Sequence, residues 1–307
     1  MSAPPVSCAW APWWTAEQLR SFLSHVKSVV QARYGEFTID EAEGTVTIEK
    51  MDCVLGLSNL AQTCRVAEPG DWRVIIYNHV ARLDDFSPGL LAERLADYEK
   101  LQPDLRVRVV GQQHLSYIDS VCDPLPLGLS ACLCVDLDGA SCPVDRSYFN
   151  DWGVDQGEVM AIALASTLLD EPLAALEGSD LPGNFQILTG DSLFVSGHLL
   201  DFGRTVPDIG PMGAVVTVPT AQTVMVCPVE LNEQFVSDSA TMLAASYIRY
   251  LAGPNSVSPN ALWWRPDHPL DGFARLDNQA FELVAPEPLR SQLWETLKTK
   301  TQNQKDE

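Results

Sequence analysis

Val121–Asp136 reads VCDPLPLGLSACLCVD, and its change of character at Gly128 decides how the rest of the chain divides. In Asp123-Pro124-Leu125-Pro126-Leu127-Gly128 two prolines remove backbone donors and a glycine supplies a turn, so regular structure breaks there. Leu129–Val135 then runs almost wholly apolar, the pattern of a short buried strand. The break is expected to part an N-terminal lobe, residues 1–120, from a C-terminal lobe, residues 121–300, with a polar tail over 301–307. At 307 residues the chain is long enough for two such lobes.

Working outward, the strongest helix signals are local. Thr15 and Gln18 fit a capping box ahead of Leu19, Phe22, Leu23, Val26, Val29 and Val30, with Trp14 and Leu19 as a hydrophobic staple. Asp155 and Glu158 fit a second box. The helix behind it is apolar around most of its circumference, which predicts burial between layers. Glu36–Ile39 and Thr45–Glu49, joined by Glu43-Gly44, predict a hairpin. Leu55–Thr63, Arg73–Leu83 and Ser87–Leu101 read as helical or mixed segments, and Leu105–Val110, alternating with Arg106 and Arg108, as a half-exposed strand. Downstream, Phe185–Leu188, Ala214–Val218, Val224–Cys227 and Phe281–Val284 read as strands. Phe235–Leu251 and the Leu289, Leu293, Leu297 stripe read as helices. This mixture of helices and strands is read as an α+β protein of two packed lobes, with mixed sheets carrying helices on their faces.

Charge is the chain's most uneven property. Between Gly111 and Leu200 there are thirteen acids and one base, Arg146, a net of −12 out of −21. A surface of one sign repels like-charged ligands over about 8–10 Å in physiological salt. That argues against nucleic acid or an anionic membrane as the main partner and leaves a basic protein, a cation or plain solubility. Several of the acids have local roles as caps and turns; Asp119, Asp123, Asp170, Glu171, Glu177 and Asp180 do not, and they are the candidate contacts. Trp10 and Trp13 are candidate exposed aromatic anchors. No basic leader with an apolar core opens the chain, and no 18-residue apolar run occurs. The eight cysteines are therefore expected to be free, buried side chains in a cytoplasmic protein. Cys132 and Cys134, two apart on a strand, would face the same side.

Ala131–Ser141, ACLCVDLDGAS, carries the sharpest catalytic pattern. A strand ending in Asp-x-Asp-Gly resembles the first motif of haloacid-dehalogenase-type phosphatases. That resemblance would make Asp136 the nucleophile and Asp138 the acid/base around Mg²⁺. The chain has no Lys between Lys100 and Lys298 to neutralise an aspartyl-phosphate, and Ala140 stands where a Thr or Ser is usual. A tight turn shaped by the two Asp side chains accounts for the same residues. No P-loop, HExxH, GxSxG or GxGxxG pattern is present, and the five histidines show no ligand spacing. No cofactor is expected, Mg²⁺ entering only with the phosphatase alternative.

The helix, the hairpin IDEAEGTVTI (Ile39–Ile48), LGLSNL (Leu55–Leu60), LCVD (Leu133–Asp136) and the run Val144–Leu169 with Trp152-Gly153 resemble, in order and pattern, the YtpQ-like proteins of Gram-positive bacteria. The resemblance spans roughly residues 16–170 and implies an α+β architecture without an established activity. The expectation is a non-enzymatic binding or regulatory protein, of which an immunity-type inhibitor of a basic toxin or nuclease is one form.

Overall fold

The first helix begins where its cap is satisfied. In the computed structural model, which describes residues 10–51, 53–86, 88–111, 119–137, 141–176, 182–206, 209–277 and 280–295, the Gln18 amide donates to the Thr15 hydroxyl at 3.2 Å. The Thr15 amide donates to the Gln18 side chain at 3.0 Å. This reciprocal box opens α1 (Ala16–Tyr34). Asp40 then accepts from the Ala42 and Glu43 amides, and Gly44, at φ +67°, turns β1 (Thr38–Asp40) into β2 (Thr45–Ile48). With β3 (Cys53–Gly56) they form an antiparallel sheet of order β1-β2-β3, followed by α2 (Ser58–Val66), α3 (Trp72–Ala81) and α4 (Pro88–Leu95). Trp14, Phe22, Val26, Ile48, Leu60 and Ile76 fill the core beneath.

Trp10 and Trp13 are not exposed anchors: both are half-buried against that core. The Trp10 indole N–H donates to the Glu41 carbonyl at 3.0 Å. Its ring lies where a Cβ at Gly44 would stand, 2.3 Å away, so the glycine that makes the turn also makes room for the ring. The Arg65 guanidinium sits 5.4 Å over the Trp13 ring.

The remaining elements are α5 (Tyr98–Leu101), β4 (Leu105–Gly111), β5 (Cys122–Leu125), β6 (Leu129–Asp136), β7 (Ser141–Pro143), α6 (Arg146–Trp152) and α7 (Gln156–Asp170). After them come β8 (Ala174–Ala175), β9 (Gln186–Thr189), α8 (Phe202–Thr205), β10 (Ala214–Thr220), β11 (Thr223–Pro228), α9 (Glu233–Ala252), β12 (Ala261–Trp264), β13 (Asp271–Asp277) and β14 (Ala280–Leu283). A seven-stranded antiparallel sheet runs β14-β13-β12-β10-β11-β9-β8, and a four-stranded one runs β4-β6-β5 with β7 also on β6. Successive residues of β10 serve different cores. Val215 joins Met225, Trp263 and Phe273 beside Phe235 and Met242 of α9. Val216 joins Val224, Leu262, Val195, Leu199 and Phe202 on the other face. Burial on both faces explains why these strands read as mainly apolar runs, broken in β10 by the buried Thr217.

Chain contacts divide the molecule into two units, Met1–Ala96 with Ala252–Pro254, and Asp97–Leu251 with Asn255–Glu307. The expected break at Val121–Gly128 lies inside the second unit as β5 and the turn into β6. Its prolines are tolerated because β5 closes one side of its sheet. The architecture is α+β as expected, but the three sheets among the described residues are antiparallel throughout rather than mixed.

Three local expectations are corrected. Strand β4 is buried rather than half-exposed: Arg106 keeps only 8% exposure because its charge is met inside the fold. Helix α7 is buried on one face only, through Val159, Met160, Ala163 and Thr167, and Leu169 is 81% exposed. The cysteines are not all free. Cys122 and Cys132 stand directly opposite each other on β5 and β6, Cα atoms 4.2 Å apart, and are joined as a disulfide. A pairing set by strand register leaves no trace in local spacing.

Candidate functional site

Helix α7 organises the polar residues of the middle segment, and its two ends carry different clusters. Asp155 N-caps it, accepting from the Glu158 amide at 3.0 Å. Near this end Gln156 donates to Asp123 at 2.8 Å and accepts from Arg146 at 3.4 Å. Arg146 also lies 3.5 Å from Asp119, whose side chain is 80% exposed. Asp145 caps α6 by accepting from the Ser147 amide. Its carboxyl is held below the usual range by the Ser147 hydroxyl and amide. The segment's one base is thus spent on Asp119, and Asp123 is met by a neutral amide.

The other end, about 20 Å along a helix of this length, is set by β4. That strand's free edge is closed by side chains: the Val107 amide donates to Thr167 Oγ1 at 2.9 Å, and the Val109 amide to Ser196 Oγ at 3.0 Å. Blocking an edge in this way removes a template for pairing with another chain. Gly197 lets the 195–201 segment approach, since a Cβ there would stand 2.4 Å from the Val107 carbonyl oxygen.

Arg106 of β4 donates to Asp170 at 2.8 Å and to the Pro103 and Leu105 carbonyls. Beside it, burial raises the Glu171 carboxyl above its usual range. The Ser192 hydroxyl opposes that shift, and the charge of Asp136 adds to it. His198 is 3% exposed. Its Nε2 lies 2.6 Å from the Glu171 carbonyl and its Nδ1 2.7 Å from Thr205 Oγ1. A carbonyl only accepts, so Nε2 carries the proton and Nδ1 accepts from the threonine hydroxyl. Both ring nitrogens are engaged, so the imidazole is a structural link rather than a free base.

This link has a pH signature. Burial lowers the His198 pKa from its ordinary 6.5, and the same cause lowers that of His79. The unfolded chain therefore binds the proton more readily than the folded one. The contribution to stability is complete above about pH 6.5 and is lost as pH falls through the depressed value. Urea midpoints at about pH 7.5 and about pH 5.5 are expected to drop towards acid, and His198→Gln is expected to reduce that drop. An equal drop in the variant would show that His198 does not contribute.

Of the residues singled out by sequence, the fold brings Asp136 and Asp170 to Glu171, with Arg106 paired to Asp170, and places Asp119 and Asp123 at the opposite end of α7. Asp138, Glu177 and Asp180 lie outside the described residues. Among the described residues no group of three or more His, Cys, Asp or Glu side chains is arranged to hold a metal ion. Arg106, Thr167, Ser192 and His198 were not expected here. Their partners lie far along the chain, and only Ser192, in the turn-like Gly190-Asp191-Ser192, carries a local signal.

No protein-family model, no curated protein and no solved structure matches the chain.

Proposed function

We propose that the protein is a non-enzymatic binding or regulatory protein whose acidic middle segment receives a basic protein. One observation supports this most: the only base between Gly111 and Leu200 is already paired with Asp119, so the surplus of twelve negative charges is not neutralised from within the segment. The acids placed at the surface keep their exposure, Asp119 at 80% and Asp170 at 55%. Such a surface draws a cationic partner from a distance and sets its register more than it sets raw affinity. A cytoplasmic location and membership of a YtpQ-like group belong to the same proposal, the latter resting on the helix-then-hairpin order of residues 16–60. Among the described residues no helix is long and apolar enough to cross a membrane.

The test is capture of basic proteins by the immobilised chain at about 50 and about 200 mM salt, followed by titration of each captured species. A loss of affinity of about tenfold or more is expected over that range. Indifference to salt would defeat the electrostatic reading. Phosphate release that requires Mg²⁺ and vanishes in Asp136→Asn would replace it with the phosphatase reading.

A further inference from the structure

One face of the β4-β6-β5 sheet concentrates sulfur and positive charge. Across strands, Cys132 has Cys122 opposite it on β5 and Arg108 opposite it on β4. Directly opposed residues point to the same side of a sheet, so Cys132 lies between a disulfide partner and a guanidinium. Two residues on, Cys134 is a free thiol on the same side. Phe194 and Val110 cover Cys132 and Cys134, each 1% exposed, while Cys122 is half-buried. The Arg108 Nε is buried without a hydrogen-bond partner, and among the described residues no carboxylate pairs with the side chain. The Cys134 thiol acts on its charge, and Arg108 in turn opposes the burial that raises that thiol. A guanidinium kept half-buried in a chain of net charge −21, with sulfur rather than carboxylate beside it, is placed to stabilise a thiolate.

We propose that Cys122–Cys132 is a dithiol–disulfide exchange site, opened by an external dithiol that attacks Cys122, with Arg108 stabilising Cys132 as the leaving thiolate. Burial directs the attack, because Cys122 is half-buried whereas Cys132 is fully buried. In the first step the reductant's thiolate forms an S–S bond to Cys122 Sγ. The Cys122–Cys132 bond breaks, and its electron pair leaves on Cys132 Sγ beside Arg108. In the second step the reductant's other thiol, deprotonated, attacks its own sulfur in the mixed disulfide and releases Cys122. The dithiol becomes a disulfide, its two electrons reside in two cysteine thiolates, and its two protons are available to them. Oxidation by a disulfide carrier is the reverse. A leaving thiol of lower pKa departs faster, which is what a fixed positive charge provides.

Opening has a structural consequence. β5 is a four-residue strand on which the disulfide adds a covalent link beside the backbone bond from the Leu133 amide to the Val121 carbonyl at 2.9 Å. Asp123 follows Cys122 directly on this strand, so the redox state would bear on how firmly that acid is held, whereas Asp119 keeps its own backbone bond from the Arg146 amide at 2.8 Å. The exchange stands whether or not the acidic surface has a protein partner.

The intact chain is to be equilibrated in glutathione buffers graded from oxidising to reducing at neutral pH, quenched in acid and alkylated. Peptide masses then report Cys122 and Cys132. The two thiols are expected to appear together, part-way through the series. A pair that stays bonded throughout, or that never bonds in oxidised glutathione, overturns the proposal. The rate of opening by dithiothreitol is expected to fall about three- to tenfold in Arg108→Gln and to stay near wild type in Arg108→Lys. A rate unchanged in Arg108→Gln removes the role of the guanidinium. The equilibrium arm uses the unaltered chain, so it decides the exchange itself even if the glutamine variant does not fold.

Discussion

Gly213→Ala is expected to destabilise the second unit by about 3–5 kcal/mol, a large share of the total stability of an ordinary domain. Two independent penalties meet at this position. Its φ of +71° is a conformation that an L side chain rarely adopts. An added Cβ would also stand 1.9 Å from the Trp264 carbonyl oxygen and 2.9 Å from the Arg265 Cα, both backbone atoms that cannot swing away. The residue cannot relax by moving, because its amide donates to the Gly210 carbonyl at 2.8 Å and its carbonyl accepts from the Val229 amide at 2.9 Å. It stands immediately before β10, a central strand with both faces in hydrophobic cores, so a shift there disturbs both. Urea unfolding followed by far-ultraviolet circular dichroism, with hydrogen exchange read on β10–β12 peptides, checks it. Gly210→Ala is the control, since nothing lies within 4 Å of a Cβ at that site, and it should fall within about 0.5 kcal/mol of wild type. A Gly213→Ala midpoint as close to wild type as the control would refute the packing argument.

The contrast between Gly213 and Thr15 also shows what the amino-acid order could convey. The Thr15–Gln18 box lies within four residues and is realised atom for atom, because everything it needs is local. The apolar runs of β10 and β11 were legible for a similar reason: a strand buried on both faces takes apolar residues at most positions. Strand β12, ALWW between Asn260 and Pro266, was missed because four residues beside prolines and turns do not differ in pattern from a loop. The polar cluster at the end of α7 was harder still. Arg106 meets Asp170 across 64 residues and His198 meets Glu171 across 27, and no spacing rule links such pairs. Cys122 and Cys132 are only ten apart, yet their pairing needs the strand register, which a Pro-rich turn does not reveal. Charge was the exception, since a segment with thirteen acids and one base must carry its surplus however it folds.

That surplus makes the second large effect a functional one. The triple variant Asp119→Asn, Asp123→Asn, Asp170→Asn is expected to bind a captured basic partner about 10- to 100-fold more weakly than wild type. The estimate rests on about 0.5–1 kcal/mol for each charge at the edge of a contact surface, with tenfold for every 1.4 kcal/mol. Most of the change should appear in the association rate and shrink as salt rises, because exposed charges act through long-range attraction. Removing Asp170 also leaves Arg106, 8% exposed, without its carboxylate, so a loss of stability could imitate a loss of binding. The double variant Asp119→Asn, Asp123→Asn avoids that problem, since Asp119 is 80% exposed and the Asp123 carboxylate, among the described residues, accepts from a neutral glutamine amide rather than a buried base. It should retain the wild-type unfolding midpoint and still bind several-fold more weakly. A matched double variant in the first unit, Glu17→Gln with Glu43→Gln, changes net charge equally and separates the segment from the molecule's overall charge. If both pairs weaken binding alike, the acidity acts only as a general field and residues 111–200 hold no particular surface. If the Asp119 and Asp123 pair alone weakens it, the partner docks at the end of α7 where Gln156 and Arg146 hold those two carboxylates in place.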